Sequence, residues 1–163
     1  MGTALEVGVI FLLVLVNGAF AMSELAIVSS RRSRLMALQR RGSLGAEAAL
    51  ALADDPQRFL PTVQVGITLV GIFAGAFGGA RLSGTLGEAI SVVPLLAPYA
   101  NEIAFTLVVI VITYLSLILG ELVPKQVALR NPERVAVIVA RPMAALSRFS
   151  APVVWVLGKS SGV

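Results

Sequence analysis

The sequence predicts an all-α membrane protein: three transmembrane helices, a cytoplasmic-side belt of juxtamembrane helices, and the N-terminus outside the cell. Hydrophobic residues make up 57% of the 163 residues, and the mean hydropathy of +0.91 is far above that of a soluble domain. Three apolar stretches are long enough to cross the hydrocarbon of a bilayer. Basic residues follow the first and third stretches, so the positive-inside rule places those ends in the cytoplasm.

The composition also limits the chemistry. The chain contains no cysteine and no histidine, which excludes disulfides, thiol nucleophiles and the usual zinc or iron sites. Oxygen ligands remain, and they suit Mg²⁺, Ca²⁺ or Na⁺. The spans offer no convincing nucleophile–base pair or paired-aspartate motif, so we expect no enzyme. The net charge of +4 does not indicate a nucleic-acid partner, because the basic residues lie beside apolar spans.

The first span covers about residues 5–30. Its positive charges follow the apolar run instead of preceding it, as they would in a signal peptide, so we expect a retained helix. Five arginines lie between residues 31 and 41. Residues 33–53 then predict an amphipathic helix at the inner membrane surface, broken near 42–45; a solvated cytosolic helix is the alternative.

The second span covers about residues 59–80 and carries no charge. Gly71, Gly75 and Gly79 recur every four residues, which is typical of a face where helices approach closely. We expect a homodimer interface there; a substrate path along the same face is the second interpretation. Residues 81–102 hold one arginine and two glutamates and predict an outside loop, with a short interfacial helix over 86–96.

The third span covers about residues 103–122 and ends in Gly120-Glu121-Leu122-Val123-Pro124-Lys125. Pro124 has no N–H, so it deprives the Gly120 carbonyl of its helical partner. A bare carbonyl is costly in lipid, and a cation beside Glu121 would satisfy it. The alternative is a plain helix stop, with the glutamate reaching headgroup water. Residues 127–158 predict a basic amphipathic belt, and residues 122–130 could instead form a re-entrant hairpin.

Polar residues near the inner ends of the first and third spans form a candidate cation site. Mg²⁺ prefers about six oxygens in an octahedron, and these residues offer hydroxyl, amide, carbonyl and carboxylate oxygens. The main candidates are Asn17, Ser23, Ser116, Gly120 and Glu121, and the secondary ones are Glu24, Thr68, Thr113 and Lys125.

Each candidate has a structural alternative. A serine in a span commonly bonds the carbonyl four residues back, which would account for Ser23. Asn17 could join two helices, and Glu24 could cap the cytoplasmic end beside the arginines. Lys125 could extend to the headgroups or pair with Glu24 or Glu121.

Three segments carry a resemblance to a known family. The segments are NGAFAMSELAIVSSRRSRL at 17–35, QVGITLVGIFAGAFGG at 64–79 and GELVPKQVALRNPE at 120–133. In order and spacing they resemble the transmembrane domain of the CNNM/CorC magnesium transporters. The resemblance implies a homodimer in the plasma (inner) membrane that exports Mg²⁺, with Na⁺ as the coupling ion often ascribed. It also implies cytoplasmic cystathionine-β-synthase-type domains that bind ATP; they are absent from these 163 residues, so we expect an isolated membrane domain.

The resemblance carries the ion site onto the five main candidates. Many relatives have asparagines in the second span where this chain has Ile67, Thr68 and Gly71, so the second-span contribution is the weakest part. The expected function is Mg²⁺ transport through an inward-facing intramembrane site. The alternative is a Mg²⁺-sensing or scaffolding membrane module that binds the ion and does not move it.

Overall fold

The computed structural model describes residues 2–149 together with Pro152 and Lys159. Within that part of the chain every regular element is helical. The α-helices are α1 Thr3–Ser29, α2 Arg32–Arg40, α3 Leu44–Asp54, α4 Pro56–Ser91, α5 Ala100–Leu117, α6 Val123–Arg130 and α7 Pro132–Phe149. A 3₁₀ turn at Ala97–Tyr99 precedes α5, and a π-helix at Ile118–Leu122 joins α5 to α6.

Three segments are long and apolar enough to cross a membrane: α1, α4, and the continuous run Ala97–Arg130. The all-α class with three transmembrane helices is therefore confirmed. The side on which the N-terminus lies stays a prediction.

Helix α4 is longer than the span predicted over 59–80. It runs on to Ser91, so no separate helix forms over 86–96. No proline interrupts the chain between Pro61 and Pro94, so the backbone permits the extension, and packing against α5 stabilises it. At 36 residues α4 is about 54 Å long, and its last turns pack along the start of α5. Gly87 permits this contact, since an added Cβ would lie 2.5 Å from Asn101 Oδ1.

Two apolar clusters hold the helices together. One lies within the spans and joins α1, α4 and α5 through Ile10, Ala74, Val108 and Ile112. The other lies at the end of the bundle that contains the C-terminus of α1, the N-terminus of α4 and the C-terminus of α6. There α2, α3 and α7 pack against those three helix ends. Its core residues are Ala26, Ile27, Leu35, Ala49, Leu50, Leu52, Phe59, Val63, Ala128, Ala136 and Ala140. We call this second cluster and its helices the collar.

The collar is built from a helical hairpin and α7. The predicted break near 42–45 is a turn at residues 41–43, where Gly42 has φ +85°. Ser43 then caps α3, because its hydroxyl accepts the Ala46 N–H. Arg32 donates two hydrogen bonds to Asp54 and closes the hairpin. This hydrogen bonding and the attraction from Asp54 raise the pKa of the Arg32 guanidinium above its ordinary value.

After the third span the chain runs straight into α6. The re-entrant hairpin considered for residues 122–130 is therefore not formed. The chain turns at Asn131, and α7 begins with Pro132, which suits the first helical position. The belt predicted over 127–158 thus consists of the end of α6 and α7; residues 150–151 and 153–158 lie outside the described residues.

Candidate functional site

A π turn lies where the third span meets the collar. Within Ile118–Leu122 the Val123 N–H donates to the Ile118 carbonyl, five residues back. The wider turn lets the helix pass Pro124 without ending, although the proline cannot donate to the Gly120 carbonyl. The plain helix stop considered from the sequence is therefore wrong. The expected consequence, a carbonyl without its α-helical partner, remains.

Asn17 of α1 supplies that partner. Its Nδ2 donates to the Gly120 carbonyl oxygen over 3.1 Å, and both residues are buried. A carbonyl can only accept, so the amide must turn its N–H₂ toward Gly120. Asn17 Oδ1 then points elsewhere and has no hydrogen-bond partner among the residues that the structure describes. A buried unsatisfied polar atom costs about 1–3 kcal/mol, so a hydrogen-bond donor or a cation that reached this oxygen would offset that cost.

Two glycines bring α1 and the π turn this close. A Cβ on Gly18 would lie 2.9 Å from Pro124 Cγ and 3.0 Å from the Leu119 carbonyl oxygen. A Cβ on Gly120 would lie 3.1 Å from Asn17 Nδ2 and 3.4 Å from the Val14 carbonyl oxygen. A larger residue at Gly18 would therefore push the two backbones apart, whereas one at Gly120 would displace the Asn17 amide from its hydrogen bond.

Glu121, the next residue along the chain, is the carboxylate of the π turn. Its Oε1 accepts from Lys125 Nζ over 2.8 Å, one turn later. Both side chains are partly open, with 39% and 31% of their surfaces exposed. Of the alternatives for Lys125, pairing with Glu121 is the one present. A cation arriving at Glu121 meets a carboxylate that already has an ammonium partner.

The other predicted residues are less closely gathered. Ser23 is fully buried and its hydroxyl donates to the Phe20 carbonyl over 2.7 Å, three residues back where the alternative expected four. Ser116 is half-buried on α5. Thr113 is exposed, and so is Thr68, whose hydroxyl donates to the Gln64 carbonyl of its own helix. The half-buried Glu24 makes no ion pair with the arginines that follow α1 within the described residues.

The donor set around the π turn is mainly neutral. Among the described residues, no group of three or more histidine, cysteine, aspartate or glutamate side chains could hold a metal. An ion here would meet the Asn17 amide oxygen, the Gly120 carbonyl oxygen and the Glu121 carboxylate. Such a set fits a hard cation such as Mg²⁺ or Na⁺ and does not fit a transition metal.

Sequence reasoning missed two residues. Gly18 was not singled out, although a glycine within a span is typical of close helix approach. Glu6 was passed over at the start of the first span, yet it is 8% exposed. It precedes Asn17 by eleven residues, close to three full turns, so both lie on the buried face of α1. The helical repeat of Glu6, Ile10, Val14 and Asn17 was the available signal.

Comparison with known proteins identifies the family. Residues 8–163 match the family model described as CNNM, the cyclin M transmembrane N-terminal domain. The chain belongs to this family. The CNNM domain is 50% identical over 157 residues to the UPF0053 protein sll0260 of Synechocystis sp., a match that covers 96% of this chain and 35% of that protein.

Two further relatives of the CNNM domain carry functional names. It is 30% identical to the polyamine export proteins of Haemophilus influenzae and Salmonella typhimurium. These matches cover 88% and 90% of this chain, and 33% of each relative. The chain thus spans about a third of the length of these relatives. The resemblance seen in the sequence is confirmed at the level of family, and the family is transporter-like.

Proposed function

We propose that this CNNM domain transports Mg²⁺ across the plasma membrane, through a site between α1 and the π turn. The observation that carries the proposal is the buried Asn17 Oδ1, which has no partner in the described part of the chain while the Nδ2 of the same amide holds the Gly120 carbonyl. Mg²⁺ requires oxygens, and the amide that carries this one is bonded to Gly120, the residue next to Glu121 in the chain. The Ser116 and Ser23 hydroxyl oxygens would complete the set of protein ligands, and retained waters would fill the rest of the octahedron.

Charge balance in the site favours release as well as capture. A divalent cation would face the Glu121 carboxylate and otherwise neutral oxygens. Lys125 Nζ competes for the same carboxylate, so it can replace the ion when the ion leaves. The site lies at the collar end of the spans, which the arginine distribution assigns to the cytoplasm. We therefore propose that the domain binds Mg²⁺ from the cytoplasm and exports it, with Na⁺ as a candidate coupling ion.

Export of a polyamine is the second candidate. It is favoured by the names of the two relatives and by the Lys125–Glu121 bond, in which the carboxylate already pairs with an alkylammonium of its own chain. A linear polyamine carries several separated charges, however, and the site offers few carboxylates. Mg²⁺ therefore remains our first choice.

The decisive experiment measures flux in proteoliposomes loaded with a Mg²⁺-sensitive dye. Wild type should move Mg²⁺, and Glu121→Gln, which keeps shape and removes charge, should lose the flux. At an effective dielectric of ~20, an ion pair at about 4 Å contributes on the order of 4 kcal/mol per unit charge. Glu121 is partly exposed, so solvent screening should make the loss of Mg²⁺ binding free energy smaller than this figure. We expect a loss of at least ~1.4 kcal/mol, which is a tenfold weaker Mg²⁺ affinity in calorimetry.

Glu24→Gln is the matched control, since it removes the same charge from a half-buried position on α1. It should weaken Mg²⁺ binding less than Glu121→Gln. A larger loss in Glu24→Gln would mean that the ion binds near Glu24 on α1 and that our assignment to the π turn is wrong. Binding without flux would support the sensing module instead, and flux of labelled spermidine without Mg²⁺ flux would support polyamine export. Imposing or collapsing a Na⁺ gradient tests the coupling.

The proposal includes a homodimer. Gly79 of the predicted glycine face packs inside the protomer, where an added Cβ would lie 2.7 Å from Phe105. Gly71 and Gly75 face open space and lie beside the exposed Leu69, Ile72 and Phe73. This apolar, smooth surface supports a second copy as its partner, with the lipid bilayer around the pair.

A further inference from the structure

A cavity of about 530 Å³ opens between α2 and α7 on the collar, away from the π turn. Its size is within the range of sites for small ligands. Its polar wall contains Arg34, Arg41, Arg134 and Glu133, and its apolar wall includes Leu38 and Ile138. Nothing in the proposed transport uses these residues.

The cavity carries an excess of positive charge. Glu133 is already engaged: its Oε2 lies 3.6 Å from Arg34 NH1, and its Oε1 accepts the Arg31 backbone N–H over 3.4 Å. Arg41 and Arg134 have no ion-pair partner within the part of the chain that the structure describes. Two exposed guanidiniums therefore line one cavity without a counter-charge of their own. Each guanidinium can donate two parallel hydrogen bonds to two oxygens of a phosphate.

The cavity also lies where a lipid can reach it. Helix α2 begins three residues after α1 ends at Ser29, so the cavity is at the membrane surface. The apolar wall next to the arginines is open: Ile138 of α7 is 68% exposed. A soluble anion would gain nothing from that wall, whereas an amphipathic anion would bury it. Basic pockets on the cytoplasmic side of membrane proteins hold anionic headgroups for this reason.

We infer that this cavity binds the headgroup of an anionic phospholipid. Arg41 and Arg134 donate to the phosphate, and the start of an acyl chain lies along Leu38 and Ile138. The lipid joins α2 to α7 and so ties the end of the first span to the helix that follows the third. The inference is independent of which cation the domain transports.

The test is native mass spectrometry of the purified protein in detergent, titrated with phosphatidylglycerol or phosphatidylcholine. Wild type should retain one phosphatidylglycerol per protomer and bind phosphatidylcholine at least about tenfold more weakly. The double variant Arg41→Gln/Arg134→Gln should lose that preference. Arg141→Gln/Arg148→Gln makes the same change in net charge on exposed α7 positions outside the cavity, and it should bind as wild type does.

A second variant separates lipid from soluble phosphate. Ile138→Gln makes an exposed side chain polar without adding a charge, so folding and the attraction for phosphate should be unaffected, and it should weaken phosphatidylglycerol binding at least about tenfold. An equal loss in both arginine pairs would reveal only general surface attraction and would overturn the site. Displacement of the lipid by inorganic phosphate at equal concentration, or unchanged binding in Ile138→Gln, would overturn the assignment to a lipid.

Discussion

The contact between α1 and the π turn can be tested with one methyl group. Gly18→Ala would place a Cβ 2.9 Å from Pro124 Cγ and 3.0 Å from the Leu119 carbonyl oxygen. Neither atom can swing aside, because one belongs to a proline ring and the other to the backbone. Relief requires a shift of one helix by several tenths of an ångström, and overpacking of this kind costs about 1–3 kcal/mol.

The size of the effect needs a reference, because alanine also improves helix propensity over glycine by about 1 kcal/mol. Gly8→Ala supplies it: Gly8 lies on the same helix, and an added Cβ meets nothing within 4 Å. The difference between the two variants isolates the clash. We expect the free energy of unfolding of Gly18→Ala to be about 1–3 kcal/mol lower than that of Gly8→Ala. Each kcal/mol should lower Tm by roughly 2–4 °C in a chain of this length.

The assay is thermal unfolding in detergent, followed by far-UV circular dichroism, with and without Mg²⁺. The clash also moves Asn17 away from Gly120, so Gly18→Ala should lose most of the Mg²⁺-induced rise in Tm that Gly8→Ala keeps. Equal melting temperatures for the two variants would refute the close crossing. Lower stability with an undiminished Mg²⁺ response would separate the crossing from the ion site.

Two more predictions concern the competitor cation and the dimer. Lys125→Gln should tighten Mg²⁺ binding by up to about fivefold in calorimetry, because a partly exposed pair such as Glu121–Lys125 contributes ~1 kcal/mol or less; weaker binding would mean that Lys125 orients the carboxylate. Gly75→Leu should shift the protein toward monomer in light scattering, while Gly84→Leu, equally open within the protomer but beyond the glycine face, should not. A dimer that survives Gly75→Leu has its interface elsewhere.

The membrane fold was accessible from sequence because its signals are local. Uncharged runs of the right length define spans, and arginine clusters define ends. The role of Pro124 could be predicted only in part from the sequence. The missing N–H at residue 124 follows from chemistry and predicts a carbonyl at Gly120 without its α-helical partner. The π turn that absorbs the proline depends on what packs against it, which here is Gly18 of another helix.

Other features were beyond local signals. The length of α4 depends on packing against α5, since a run of moderate polarity is helical or looped according to its neighbours. The pairing of Asn17 with Gly120 spans 103 residues of sequence. The polar stripes indicated that both residues face inward, but only the crossing of α1 over the π turn decides that the amide holds this carbonyl. The cavity between α2 and α7 likewise depends on how two distant helices meet.

The collar has a mechanical consequence. It anchors α1, α4 and α6 at the same end, and its core includes side chains such as Phe59, Leu35 and Val63 that are less than 2% exposed. Pulling these helices apart there would uncover the whole cluster, at ~25 cal/mol for every Å² of apolar surface. At the far end α4 and α5 are joined by the exposed turn Val92–Leu96, and bulky side chains already face outward. The collar therefore fixes the spacing of α1, α4 and α6 at its own end, while toward the other end the smaller cluster around Ile10 joins α1 to α4 and α5.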